Sequence, residues 1–250
     1  MISDKIWECQ EWNCSRFNGL YWTILSSWVS PSLYGYRMEK IAKIAVKAPT
    51  RDAEATRNSI LDAAELEFAK VGLWGARTES IAARTGVTKA MIHYYFENKE
   101  NLYRAVMERL ITRRSAEMES LHVADLSPRE AVSTLMRNVL MYAAEHPNVA
   151  SLIVLEGLQN QGKFYCETSL GALYGPLIDS LKRGMEAGDF TTADPLHTAA
   201  NLIAMCIYYT VARDNLKNLW PEGTDLLSPD MLEEHCEITL KMCLAALGAK

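Results

Sequence analysis

Residues 81–95 read "IAARTGVTKAMIHYY", and their spacing decides how the surrounding chain folds. Ala82 is small and Gly86 follows four residues later. Val87, Ile92 and Tyr95 (or Phe96) then recur at spacings that bury one face of a helix. A small residue lets two helices approach closely, and a glycine accepts the positive φ of a tight turn. The pattern predicts one helix over about Thr78–Thr85, a turn at Gly86, and a second helix from about Thr88 to Tyr95. That is a helix-turn-helix, although the Ala-x-x-x-Gly spacing by itself also occurs in other helical hairpins.

Working outward, residues four apart share a helix face. Lys89 and His93 share one, with Ala90 and Tyr94 beside it, while Ile92 and Phe96 share the opposite, inner face. Thr88, Lys89, Ala90, His93 and Tyr94 are therefore expected to project outward. An outward ammonium, imidazole and phenol suit phosphates and base edges in a major groove. Lys99 follows at the next helix start, where backbone N–H groups also favour a phosphate. Arg77 or Thr78 opens the first helix, a second place for a phosphate contact. Tyr95 and Phe96 are more readily core than DNA contacts.

The rest of the chain reads as helix after helix. Ile60, Leu61, Ala64 and Phe68 fall on one face, and Gly72 ends that segment. Ser127-Pro128-Arg129-Glu130 carries the signature of a capping box with proline at the first helical position. Asp194-Pro195 and Ser228-Pro229 repeat the cap-then-proline signal. Gly188 and Gly248 are expected C-caps, and His146-Pro147 should separate two helices. No run of alternating β-branched residues competes. The expected fold is all-α with about nine helices, divided into an extension (residues 1–50), a helix-turn-helix domain (51–104) and a larger helical domain (105–250).

Charge is divided along the chain. Residues 37–104 carry twelve Lys/Arg against nine Asp/Glu, whereas residues 105–250 carry twelve against nineteen. The overall net charge of −5 hides a mildly basic front and an acidic rear. The front 37 residues differ again, holding Trp7, Trp12, Trp22 and Trp28, four of the six tryptophans. Their most apolar part, "GLYWTILSSWV", is far shorter than the about 20 residues that span a bilayer. No stable membrane association is expected; translation is expected to start at Met38, with the stretch before it non-native or poorly ordered, and an ordered or membrane-touching extension is the alternative. The six cysteines have no CxxC spacing, which disfavours zinc or a disulfide framework and fits a reducing cytoplasm.

Catalytic patterns are missing. The sequence has no Gly-rich phosphate loop and no GxSxG, and its five histidines have no HExxH spacing. The expectation is a protein that is not an enzyme and takes no metal or cofactor.

The words "TRNSILDAAELEFAKVG" and "RTESIAARTGVTKAMIHYYFENKENLY", covering Arg57 to Tyr103, resemble the TetR family of transcriptional regulators. The resemblance implies a three-helix DNA-binding domain, joined by a fourth helix to a ligand-binding and dimerisation domain. It assigns DNA contact to Thr88, Lys89, Ala90, His93, Tyr94 and Lys99, with Thr78 or Arg77 at the front helix. Many members have tyrosine where this chain has His93. The implied protein is a homodimer on a near-palindromic operator in double-stranded DNA, most simply a repressor released by a small-molecule effector. An activator or an effector-free DNA binder is the alternative.

The resemblance also places a dimer interface on the last two long helices, expected over about Pro195–Asn215 and Pro229–Leu247. Leu202, Cys206, Tyr209, Leu232, Leu240 and Leu244 are its candidates, with core packing as the alternative role. A ligand pocket is expected between the middle helices, with Met141, Tyr142, Leu155, Phe164, Tyr174, Met205 and Tyr208 as candidate lining. Packing is the commoner role of such residues. Gln159, Asn160 and Gln161 could orient a polar ligand or sit in a loop. The segment "HPNVASLIVLEGLQNQGKF" resembles the branch of the family that includes a pyrimidine-responsive regulator, without selecting a ligand.

Overall fold

The computed structural model describes residues 51–165 and 167–249. The expectations for residues 1–50, including the start at Met38, lie outside the described residues. Among the described residues there are helices and no strand. In chain order the α-helices are α1 (Arg51–Gly75), α2 (Thr78–Thr85), α3 (Lys89–Phe96), α4 (Lys99–Ser120), α5 (Pro128–Glu145), α6 (Pro147–Asn160), α7 (Glu167–Glu186), α8 (Pro195–Val211), α9 (Arg213–Leu216) and α10 (Pro229–Ala246). Short 3₁₀ turns lie at Val123–Asp125 and Lys217–Leu219.

The local signals act as their chemistry demands. Gly72 interrupts α1 with φ 71° and ψ −177°, so the chain turns there before Gly75. Gly72 is also a point of close approach, since a Cβ there would overlap the Gln159 carboxamide of α6. At Ser127 both halves of the capping box form, and Asp194 accepts a hydrogen bond from the His197 N–H at 2.8 Å. Ser228 takes up N-cap backbone geometry without its side chain accepting from the helix. The expected long helix from Pro195 to Asn215 is instead two, because Ala212 leaves helical geometry between α8 and α9.

Among the described residues two apolar cores form. The first gathers Ile60, Phe68, Ile81, Ile92, Tyr103 and Val106 from the front four helices and adds Val149 and Leu152 of α6. The second packs α5, α7, α8 and α10 around Leu135, Leu177, Leu202 and Cys236. Arg109 ties α4 to α1 through Asp62 and Glu65, at 2.6 and 2.9 Å, and Arg137 ties α5 to Glu233 and Glu237 of α10. The division expected at residue 104 falls inside α4, which runs unbroken from the first core towards the second.

Candidate nucleic-acid interface and cavity

The helix-turn-helix is built from α2 and α3. Gly86 ends α2 in the left-handed region (φ 71°, ψ 5°), and its N–H donates to the Ala82 carbonyl at 3.0 Å. Thr88 then caps α3, its hydroxyl oxygen accepting from the Met91 N–H at 3.2 Å. Ile92 and Phe96 are buried in the first core, with Val87 and Tyr95 half-buried against it. Phe96 also lies 5.2 Å below the Arg57 guanidinium. These contacts fix which way α3 faces.

The other face of α3 is open. Thr88, Lys89, Ala90, His93 and Tyr94 are all exposed, and Tyr94 is 82% exposed. Its ring leans edge-on against Tyr95 at 5.4 Å, which orients the phenol outward. Lys89 is already paired, with its ammonium 2.5 Å from Glu79 of α2. That direct bond, then the backbone N–H of Glu79, hold the Glu79 carboxyl below its usual range.

Arg77 is exposed and Thr78 half-buried at the start of α2. The Arg77 N–H reaches the Glu67 carboxylate at 3.5 Å, and Thr78 donates to Glu79 at 3.4 Å. Lys99 has a structural task that its spacing did not announce. Its ammonium donates to the carbonyls of Ala76 (3.0 Å) and Trp74 (3.4 Å), beyond the break in α1. An ammonium has three N–H donors, so one remains for another partner.

Behind this head lies a cavity of about 170 Å³. Met107, Leu110, Ile111 and Arg114 of α4 line one side of it. Val139, Tyr142 and Ala143 of α5, Val149 and Ile153 of α6, Tyr174 of α7, and Ile203 and Ile207 of α8 contribute further lining. Burial pushes the phenols of Tyr165 and Tyr174 above their ordinary value, so both stay neutral and contribute apolar surface.

The whole arrangement matches known proteins in two stretches. The family model described as "Bacterial regulatory proteins, tetR family" matches residues 60–106, and that described as "Tetracyclin repressor-like, C-terminal domain" matches residues 128–243. The chain belongs to the TetR family of transcriptional regulators. It is 28% identical over 176 residues to the HTH-type transcriptional repressor SCO4008 of Streptomyces coelicolor, covering 70% of this chain and 88% of that protein. It is likewise 28% identical to the HTH-type transcriptional repressor NicS of Pseudomonas putida, over 70% of this chain and 84% of that one. Among solved structures, the fold is shared with the regulator FadR of Bacillus subtilis, crystallised with stearoyl-CoA. There the TM-score is 0.61 at 17% identity, over 75% of this chain and 97% of that one. It is shared also with apo AibR, at a TM-score of 0.58 and 18% identity, over 78% and 99% of the two chains.

Within this TetR-family chain the candidate lining residues separate. Tyr142 and Tyr174 line the cavity, whereas Met141, Leu155, Phe164, Met205 and Tyr208 are not among its lining residues. Met141 and Met205 pack against the second core. Leu155 is half-buried elsewhere on α6. Phe164 is buried against Tyr103, with ring centres 5.0 Å apart, and Tyr208 is 62% exposed on the outer face of α8. Helical spacing separates buried from exposed faces; it does not say which buried face borders an empty volume. The signal available for the missed residues Arg114, Ile153, Ile203 and Ile207 was weak, because three of them are ordinary helix-core aliphatics.

Asn160 is also drawn elsewhere, since its amide donates to Glu156 at 2.7 Å. Gln161 ends α6 with φ 55°, exposed. The candidate interface residues Leu202, Cys206, Tyr209 and Leu232 are buried within the single chain. Tyr209 donates to the Leu226 carbonyl at 2.9 Å and stacks on His235 at 3.7 Å. Burial pushes the Cys206 thiol up to about 12, leaving it an inert core group. Leu240 and Leu244 are half-buried. The outer faces of α8 and α10 instead present Leu196, Tyr208, Ile238 and Met242.

Proposed function

We propose that this protein is a dimeric, effector-controlled repressor whose α3 enters the major groove of its operator. The observation that carries this reading is the division of α3. Ile92 and Phe96 anchor one face in the core, and the opposite face presents Thr88, Lys89, Ala90, His93 and Tyr94 to solvent. Lys89 would exchange Glu79 for a phosphate, and Arg77, Thr78 and the free N–H of Lys99 would supply flanking backbone contacts. His93 and Tyr94 would meet base edges.

Leu196, Ala200, Ala204 and Tyr208 recur every four residues on the open face of α8, and Ile238 and Met242 do so on α10. In this reading those rows pair with a second copy, giving two recognition helices for half-sites about 34–36 Å apart. The repressor names of the two relatives above support the sign of regulation. An effector in the cavity would lower operator affinity only by binding one spacing of the heads better than the other. No helix among the described residues is long and apolar enough to cross a membrane, and the cytoplasm, where an operator is reachable, is the proposed location.

Selection from random duplexes followed by footprinting tests the reading. Recovery of a two-half-site sequence is expected, protected over two major grooves on one side of the DNA. Failure to enrich any sequence would overturn it.

A further inference from the structure

The cavity is apolar except at one end, and that end is electrostatically unfinished. Arg114 is only 8% exposed, and its Nη1 is buried with no hydrogen-bond acceptor. Its ion-pair partner Glu117, on the same helix, stands 3.6 Å away, beyond hydrogen-bond length, on a carboxylate that is itself partly exposed. Below the guanidinium, at 4.3 Å, lies the ring of Tyr142. The Tyr142 hydroxyl is itself buried and makes no well-formed hydrogen bond, while the Arg113 guanidinium lies close enough to donate towards its oxygen, leaving the hydroxyl proton free to be donated.

A buried cation is ordinarily both paired and hydrogen-bonded, because burying an incompletely satisfied charge is costly. Guanidinium stays protonated even when desolvated, so it cannot relieve that cost by losing its proton. A carboxylate would satisfy it with short, charge-assisted hydrogen bonds. The remaining volume is large enough for a ring or a short chain. An apolar cavity of about 150 Å³ accepts benzene, and the space here is about 170 Å³.

We infer that this cavity takes a small organic acid. Its ring or short chain lies among Leu110, Ile153, Ile203 and Ile207, and its carboxylate pairs with Arg114 and accepts from the Tyr142 hydroxyl. The inference rests on the reading of the cavity as the effector site and adds the chemistry of the effector.

Calorimetric titration of the full chain with benzoate and hexanoate, each against its neutral amide, tests it. At least one acid is expected to bind at least tenfold more tightly than its amide. Arg114→Met should abolish that preference, and Ile203→Trp, which fills the cavity but keeps the arginine, should abolish binding of the acid altogether. Amides binding as well as acids, neither acid binding, or acid binding that survives Ile203→Trp would overturn the inference. The acid–amide comparison uses the unaltered chain and stands even if Arg114→Met does not fold. A parallel operator-release assay separates the two readings. Acid binding without release from DNA would remove the effector role and keep the site. Release by neutral compounds alone would keep the effector role and remove the acid.

Discussion

The Tyr103 hydroxyl donates to Glu156 at 2.9 Å, and both side chains are fully buried. Tyr103 stands on α4 inside the head's core, where its ring meets Phe68 edge-on at 4.9 Å. Glu156 stands on α6, two turns after cavity residue Val149 and one turn after Ile153. The carboxylate is completed by the Asn160 amide at 2.7 Å and the Phe164 N–H at 2.7 Å. One buried cluster thus joins the helix behind the recognition motif to a wall of the cavity.

Removing the phenol oxygen leaves Glu156 one donor short in a site that water does not reach. Tyr103→Phe is therefore expected to destabilise the fold by about 1–3 kcal/mol, measured by urea denaturation. A loss below about 0.5 kcal/mol would mean that the cluster is not a joint between the two helices.

The two faces of α3 should separate in mutagenesis. Tyr94→Ala is expected to weaken operator binding with a stability change within about 0.5 kcal/mol, because the side chain is almost wholly exposed. Ile92→Ala, in the core, should cost about 2–5 kcal/mol. Thermal melts beside a binding titration distinguish them, and a Tyr94→Ala protein that unfolds would show that ring to be structural.

In the proposed complex Glu79 would compete with DNA for Lys89. Glu79→Gln should raise operator affinity by ~2–5-fold, the scale of an exposed ion pair. Lys89→Ala should flatten the slope of log affinity against log salt by about one phosphate contact. Lys99→Ala should flatten the slope too, but it should also lower the melting temperature, since that ammonium holds the carbonyls of Trp74 and Ala76. A salt slope unchanged by either lysine would remove it from the phosphate set.

The proposed dimer face can be broken without touching the core. Ile238→Glu or Met242→Glu is expected to shift sedimentation from dimer to monomer while leaving the helical circular dichroism intact. A dimer that persists with both substitutions would move the interface off the outer row of α10.

Acid should weaken the fold through His235. Burial against Tyr209 lowers the pKa of this imidazole from its ordinary value near 6.5. The unfolded chain then binds the proton first. The contribution is fully present above about pH 6.5 and is lost as the pH falls through that value towards the folded one. His235→Phe is expected to show a smaller drop in melting temperature between pH 7.5 and 5.5 than the unaltered chain. An equal drop would assign the acid sensitivity to other groups.

What residues 51–249 disclosed as sequence was mostly local. Gly86, Thr88, Ser127 and Asp194 act through bonds to residues at most four positions away, so α2, α3, α5 and α8 begin or end where those residues require. The inner and outer faces of α3 were legible for the same reason, since a helix converts spacing directly into direction. Tertiary structure alone decided which buried residues border empty space. Arg114 looks in sequence like any basic residue in "ITRRSAE"; only the packing around α4 turns it into a buried cation whose ion pair with Glu117 is too long for a hydrogen bond. In the same way Leu202 and Tyr208, six residues apart on α8, divide into core and surface through the helices packed on one side of them. Spacing orders the residues around a helix axis, but the position of its neighbours decides which side of that axis becomes interior.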